Sequence, residues 1–404
     1  MTREQIALLA TVFCVQGVAV GVSFGAAPVF VAPIREAFDA PISQISWGVS
    51  LIALMLGVMG PIWGRWIDRG EFRRIMLTGS TLASACLLGA SAAPSLSVLA
   101  LLCIGMGIAV PLIGPLACSS LIGKVFVEAR GSAMGIASMG PPFGGAAFAF
   151  LAGELIPRTD WRTTFQVFSL LCTLTIPLIY WKIPRKVEPL AVPDQGGGRW
   201  TTARLLRTRD FWGAAMAMGI GAGVASGWGY HLVSFTLDLG HDLAEGARIA
   251  ALAGLVGIVG TVVFGVLADR FQAKWLLFGT LFGQVTAFGV YLTEPDYPGL
   301  LAAAVLFGIC GGSLVTLYAL ILTQRFGPAA LGQALGVTNL FVLPFGVLSS
   351  PVAGWLREQT ASYAAPILVL GGLLVVAALS LLLIRRPERV EEISPAGAGV
   401  PLDL

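Results

Sequence analysis

The sequence predicts an all-α membrane protein of twelve transmembrane helices arranged as two six-helix halves. Three observations predict it: a composition suited to lipid, twelve apolar runs of bilayer length, and an internal repeat at one constant spacing. Of 404 residues, 56% are hydrophobic and 12% are charged, against roughly 25% charged in soluble domains. So few charges could not cover a water-facing surface.

The apolar runs fall near residues 6–31, 44–63, 75–93, 97–122, 133–156, 164–181, 211–237, 248–268, 274–293, 299–323, 332–356 and 364–384. A spanning helix needs about 20 mostly apolar residues, whereas barrel strands are shorter and alternate strictly. The run from Ile6 is too long for a signal-peptide core and has no clear cleavage site. It is expected to stay as the first spanning helix.

Twelve spans put both chain ends on one side. With that side taken as the inside, the inner loops carry 20 of the 25 Lys and Arg residues, and the outer loops carry only Arg35, Arg158, Arg162, Arg248 and Arg357. The positive-inside rule then places both ends in the cytoplasm, as for a multi-pass protein of the plasma (bacterial inner) membrane. The expected organisation is a first half over 1–181, a cytoplasmic linker over 182–210, a second half over 211–389 and a cytoplasmic tail over 390–404. The linker is polar and basic, with Pro184, Pro189, Pro193 and Gly196 to Gly198, and reads as a tether.

Comparing the chain with itself gives the repeat. Gly64, Asp68 and Arg69 recur 201 residues later as Gly265, Asp269 and Arg270, and Arg73 lands on Lys274. The same shift relates Gly107 to Gly308, Gly131 to Gly332, Ala133 to Ala334, Gly135 to Gly336, Gly145 to Gly346 and Gly153 to Gly354. Parallel halves of this kind surround a central site near the membrane midplane. Gly64 is expected to admit a close neighbouring helix, and Asp68 to pair with basic groups. Together with Arg69, Arg73 and the copies Gly265, Asp269 and Arg270 they form a candidate cytoplasmic gate.

Several function classes find no support. The net charge of +3 does not argue for nucleic acid, and the six cysteines stand singly in apolar runs with no metal spacing. No nucleotide loop, metal cluster or nucleophile–base pair is visible. The chain therefore reads as a non-enzyme without cofactor or metal, whose energy comes from a gradient.

The stretch Gly64, Asp68, Arg69, Gly70, Arg73 and Arg74, with its second copy at Gly265 to Lys274, resembles the loop signature of the major facilitator superfamily. That resemblance implies the 6+6 major facilitator fold and alternating access. Ser46 and Trp47, the run Ala129 to Ala137, Asp160 to Arg162, Tyr230 to Val233 and Asp238 to Gly240 are similar to the monocarboxylate and oxalate/formate branch. The branch implies small organic anions, often moved with protons. The chain departs from it in helix eight, where Gly257 to Gly265 contains no arginine, and the lysine of some members is missing from helices one and eleven.

Ionisable groups deep in a spanning helix are costly and mark function. Only His231 lies between helix ends, with Glu154 and Asp238 near the outer rim; these three are the candidates for proton coupling. Candidate solute-binding residues are Gln16, Ser23, Tyr230, His231, Tyr318 and Asn339, a set of neutral donors without a full cation. The resulting expectation is a monomeric secondary transporter of a small organic solute, most readily a monocarboxylate-type anion, as a proton symporter. An uncharged or amphipathic solute, with export as one direction, is the alternative, and a non-transporting sensor a weaker one.

Overall fold

Apolar runs set where the helices lie, and polar caps set where they start. The computed structural model describes residues 2–126, 130–187, 202–326 and 331–384, without the side chains of Pro61, Asp68, 130–132 and 331–333. Helices occupy all twelve expected stretches. They are α1 (Arg3–Val20, continued by Ala27–Phe38), α2 (Ile42–Asp68), α3 (Phe72–Ser91), α4 (Leu96–Ile113 and Pro115–Val125), α5 (Arg130–Ser138 and Gly140–Leu155) and α6 (Trp161–Thr173 and Thr175–Lys182). The second series is α7 (Arg209–Asp238), α8 (Leu243–Leu267), α9 (Ala273–Tyr291), α10 (Tyr297–Gly312 and Leu314–Phe326), α11 (Leu331–Thr360) and α12 (Ala364–Ser380). No strand occurs among the described residues.

Caps explain several starts. Thr2 and Gln5 form a capping box at α1, and Asp242 and Glu245 form one at α8. Asp160 caps α6 by accepting the Thr163 N–H, a bond that holds its carboxyl below the usual carboxylate range. Breaks follow the chemistry as well. Pro111, an extended Gly114 and Pro115 interrupt α4, and α1 passes through a π-helical turn at Gly21–Gly25.

Nine of these helical segments are long and apolar enough to cross a membrane. The other three, α3, α7 and α9, are helical over comparable lengths. The outer surface is apolar: Trp181, Leu101 and Phe282 are 72%, 65% and 61% exposed, which suits a lipid surround and not water. The buried apolar core falls into two clusters. One runs through α1–α6 (Val12, Phe72, Leu121, Phe168) and also takes in Val233 and Ala247; the other runs through α7–α12 (Phe211, Leu277, Leu317, Leu374).

The repeat carries into three dimensions at the level of single contacts. A Cβ on Gly107 would meet the Ile52 carbonyl at 2.7 Å and Met55 at 2.6 Å; one on Gly308 would meet the Ala253 carbonyl at 2.2 Å and Val256 at 2.8 Å. Both partners are shifted by the same 201 residues as the glycines. Likewise Arg73 Nε donates to the Ile183 carbonyl at 2.7 Å and Lys274 Nζ to the Ile384 carbonyl at 2.5 Å. Each basic side chain ties the third helix of its half to the chain leaving the sixth.

Candidate functional site: a central cavity closed at one face

The two halves meet along α2–α11 and α5–α8, and their polar links gather at one end. At the face away from the basic loops, Glu358 at the end of α11 accepts the Ser43 N–H at 2.7 Å and the Ser43 hydroxyl at 2.8 Å. On the other side of the axis, Glu154 of α5 pairs with Arg248 of α8 at 3.0 Å and with Arg158 at 2.8 Å. Between these links the helices touch through glycine. A Cβ on Gly153 would meet Ala247 at 2.3 Å and Ala244 at 3.6 Å, and one on Gly354 would meet Ser43 and Ser46 at 3.1 and 3.3 Å. Residues 43 and 46 are the counterparts of 244 and 247 in the repeat, so the closed layer has the same two-fold logic as the halves.

At the basic face the halves part. A Cβ on Gly57 of α2 would still meet Leu343 of α11 at 2.7 Å, but one on Gly60, Gly64, Gly135 or Gly336 would meet nothing within 4 Å. The expected close helix at Gly64 is therefore absent: this end is splayed, and the tight glycine contacts sit at the other end. Arg69, Asp269 and Arg270 are exposed, and the Asp68 side chain lies outside the described residues. Arg73 holds α3 to the end of α6 and does not bridge the halves. Gly70 adopts φ +80°, and a Cβ there would lie 2.1 Å from the Val187 carbonyl, so only glycine fits. Residues 188–201 of the expected linker and all of the tail (390–404) lie outside the described residues.

Between the closed layer and the splayed end lies a cavity of about 940 Å³, lined by α1, α2 and α5 from the first half and by α7, α8, α10 and α11 from the second. Its polar groups are hydroxyls: Ser138, Ser226, Tyr230, Thr261, Thr316 and Ser350. No Asp, Glu, Lys, Arg or His is found among the described residues that line it. The stretch of α8 singled out for its missing arginine contributes Gly257, Ile258, Thr261 and Val262 to the wall. A second cavity of about 790 Å³ opens on the other side of the closed layer. It is lined from both halves and holds Arg35, Glu36, Asp160, Ser234 and Asp238.

Of the six residues expected to bind solute, Tyr230 is the one that lines the central cavity. Its hydroxyl reaches the Ile45 carbonyl at 3.4 Å, a further link between the halves. Gln16 is buried and donates to the Ala137 carbonyl, joining α1 to α5. Ser23 donates to the Ala19 carbonyl at 2.6 Å and faces a small apolar pocket walled by the first half and by Tyr230. Tyr318 donates to the Thr338 hydroxyl within the second half, and Asn339 is exposed in the early turns of α11.

His231 is fully buried, one layer behind the cavity wall. Its Nε2 lies 2.8 Å from the Ser350 carbonyl, and its Nδ1 lies 3.1 Å from the Tyr363 hydroxyl. A carbonyl can only accept, so Nε2 carries the hydrogen and Nδ1 accepts from Tyr363. The neutral ring is thus satisfied at both nitrogens, and both partners belong to the second half. Asp238 is exposed and accepts two bonds from Arg357, at 2.8 and 3.1 Å. Glu154 alone of the three candidate proton carriers bridges the halves. Sequence reasoning passed over Glu358 and Ser43, although a carboxylate at the end of α11 and a serine at the start of an uncapped α2 were both in plain sight.

Two six-helix halves around a central cavity open at one face define a helical membrane transporter fold. The sequence profile of the Major Facilitator Superfamily matches residues 12–346, and again 249–403, and the chain belongs to that family. It is 28% identical over 366 residues to monocarboxylate transporter 13 of Bos taurus, covering 87% of this chain and 82% of the relative. To monocarboxylate transporter 12 of Rattus norvegicus it is 26% identical over 392 residues, covering 87% and 80%. Among solved structures, a bacterial homolog of the human lysosomal transporter Spinster, inward-facing and unoccupied, superposes with a TM-score of 0.81. That match has 18% identity and covers 95% of this chain and 97% of the other. The inward-facing, occupied form of the same homolog gives a TM-score of 0.73. The protein is a multi-pass membrane protein and a major facilitator superfamily transporter resembling the monocarboxylate branch.

Proposed function

We propose that the chain is a secondary active transporter of a small organic solute of the monocarboxylate type, working by alternating access with all twelve helices crossing the membrane. The observation that carries the reading is the central cavity. It is walled by both halves, reachable from one face and sealed from the other by contacts that belong to both halves. Rocking the halves would break the Ser43–Glu358 and Arg248–Glu154 links and expose the same cavity to the other side. The charge bias of the loops supports a cytoplasmic basic face, in a plasma (bacterial inner) membrane, with the present state open inward. The 6+6 unit supports a monomer in the bilayer as the working form.

Coupling to protons is read at the closed layer. Glu154 accepts from two arginines and joins the halves, so a proton on it would weaken a link that must open. His231 is engaged at both nitrogens within one half, and rocking leaves those bonds intact. Asp238 is held by Arg357 in the same way.

The absence of charge among the described lining residues favours a second reading, a neutral or amphipathic solute. A carboxylate gains most from a charged, bidentate partner, and burying it without one is costly. Uptake of radiolabelled phenylacetate into proteoliposomes, with an acid-outside gradient, tests both readings. Competition by phenylacetate and lactate but not by phenylacetamide supports the carboxylate reading. Equal competition by the amide supports the neutral one, and no uptake above empty vesicles of any of the three contradicts transport of this class.

A further inference from the structure

We propose that the central cavity takes a bulky, mainly apolar solute with a single polar or acidic head, and that Gly229, Gly311 and Gly346 set this size selectivity. The inference rests on the transport reading and narrows its substrate class.

Volume is the first argument. Sites of about 300–1,000 Å³ hold drug-sized ligands, and this cavity, measured with its open mouth at about 940 Å³, has room to admit one. At about 30 Å³ for each water-sized group, an acid of six heavy atoms would fill about 180 Å³ and leave most of the cavity to water.

Chemistry is the second. With no cation among the described lining residues, affinity has to come from burying apolar surface and from a few hydroxyl hydrogen bonds. A short acid is mostly carboxylate and offers little of the first. A solute with an aromatic or long aliphatic body can lie against Phe24 and Phe307, which line the cavity. Its one polar head can then reach Ser226, Thr261, Thr316 or Ser350.

The glycines separate into two kinds. Gly308 and Gly312 line the cavity but are also pressed on backbone: a Cβ would sit 2.2 Å from the Ala253 carbonyl and 2.0 Å from the Gly257 carbonyl. Packing explains them. Gly229, Gly311 and Gly346, on α7, α10 and α11, line the same cavity, and a Cβ on any of them would meet nothing within 4 Å. No neighbour demands glycine there. What the missing side chains provide is room for the solute; Gly135 of α5, at the splayed end, lines the cavity in the same open way.

The test is thermal stabilisation and calorimetric titration of the purified full chain with acetate, phenylacetate, naphthylacetate and phenylacetamide. Wild type is compared with Gly311→Ala and with Gly311→Phe, Gly346→Phe and Gly229→Phe, each checked by its melting temperature without ligand. The expected result is binding that strengthens from acetate to naphthylacetate. Each Phe variant should lose about tenfold or more in naphthylacetate affinity, the scale of overpacking a fitted site, with a smaller loss for phenylacetate and for Gly311→Ala. Acetate binding as tightly as naphthylacetate, or an unchanged ratio in all folded Phe variants, would overturn the size inference while leaving transport standing. Binding of none of the four ligands would remove both.

Discussion

Glu358, near the end of α11, caps α2 from the other half of the chain through the N–H and hydroxyl of Ser43. The residue preceding α2 is Pro41, which offers no side-chain cap. The first N–H groups of a helix need acceptors, and its positive end favours a carboxylate. The cap of one half is thus supplied by the other, and opening the closed face must uncap α2. Losing a cap costs about 0.5–2 kcal/mol, enough to shift a two-state population roughly two- to thirty-fold.

Glu358→Gln and Ser43→Ala are accordingly expected to shift the conformational balance toward opening at the Glu358 face. Distances between spin labels placed on α2 and α11 at that face report it. A longer-distance population should grow in both variants and grow no further in the double variant, because the two groups share one interaction. Additive growth would mean they act separately.

Glu154→Gln should shift the same balance by less, and its effect should shrink as salt is raised. The Arg248 guanidinium is in solvent, where ions screen it. If Glu154 is also the coupled proton site, uptake by this variant loses its response to an imposed pH gradient, while a folded His231→Gln variant keeps it. The reverse pattern would return the coupling role to His231.

His231→Ala should lower thermal stability whatever its effect on transport. It takes from the Tyr363 hydroxyl its buried acceptor, at about 1–3 kcal/mol for an unsatisfied group, and removes the bond from Nε2 to the Ser350 carbonyl, which the α11 helix ladder still engages. Tyr363→Phe, which removes one hydrogen bond and keeps the ring, should cost less. A melting temperature unchanged in His231→Ala would contradict this account of the histidine as a strut.

Gly70→Ala should be among the more damaging single-methyl changes on the basic face. The residue has φ +80°, and the added carbon would collide with the Val187 carbonyl, whose residue also donates its N–H to Gly70. Left-handed backbone alone costs a non-glycine residue about 1–3 kcal/mol. Gly64→Ala, into open space, should cost far less in this state. Comparing the two melting temperatures checks the contrast.

Much of this architecture was legible in the sequence, for identifiable reasons. Helix positions follow from apolar length, and the repeat from spacing; the Arg73–Lys274 correspondence became two equivalent bonds to Ile183 and Ile384 because the side chains do the same job twice. The site was less legible. Gln16 and Tyr318 look like cavity donors on a helix plot, but a polar group in an apolar helix is as well served by a neighbouring helix. Ser43 and Glu358 are 315 residues apart, and each is an ordinary helix-end residue until the fold brings them together. Sequence also cannot separate Gly312, which packs, from Gly311 beside it, which does not.

The most direct test of the central claim is solute uptake by a protein whose closed face has been locked. Ser43→Cys and Glu358→Cys, in a background with the six native cysteines replaced, would be joined by a short cleavable thiol crosslinker. Proteoliposomes would then be assayed for uptake of radiolabelled phenylacetate, lactate and phenylacetamide. The account predicts uptake of at least one of them before crosslinking, none above empty vesicles after it, and recovery when the linker is cleaved. Uptake that persists with the two helices joined would show that this face need not open, and would contradict the account.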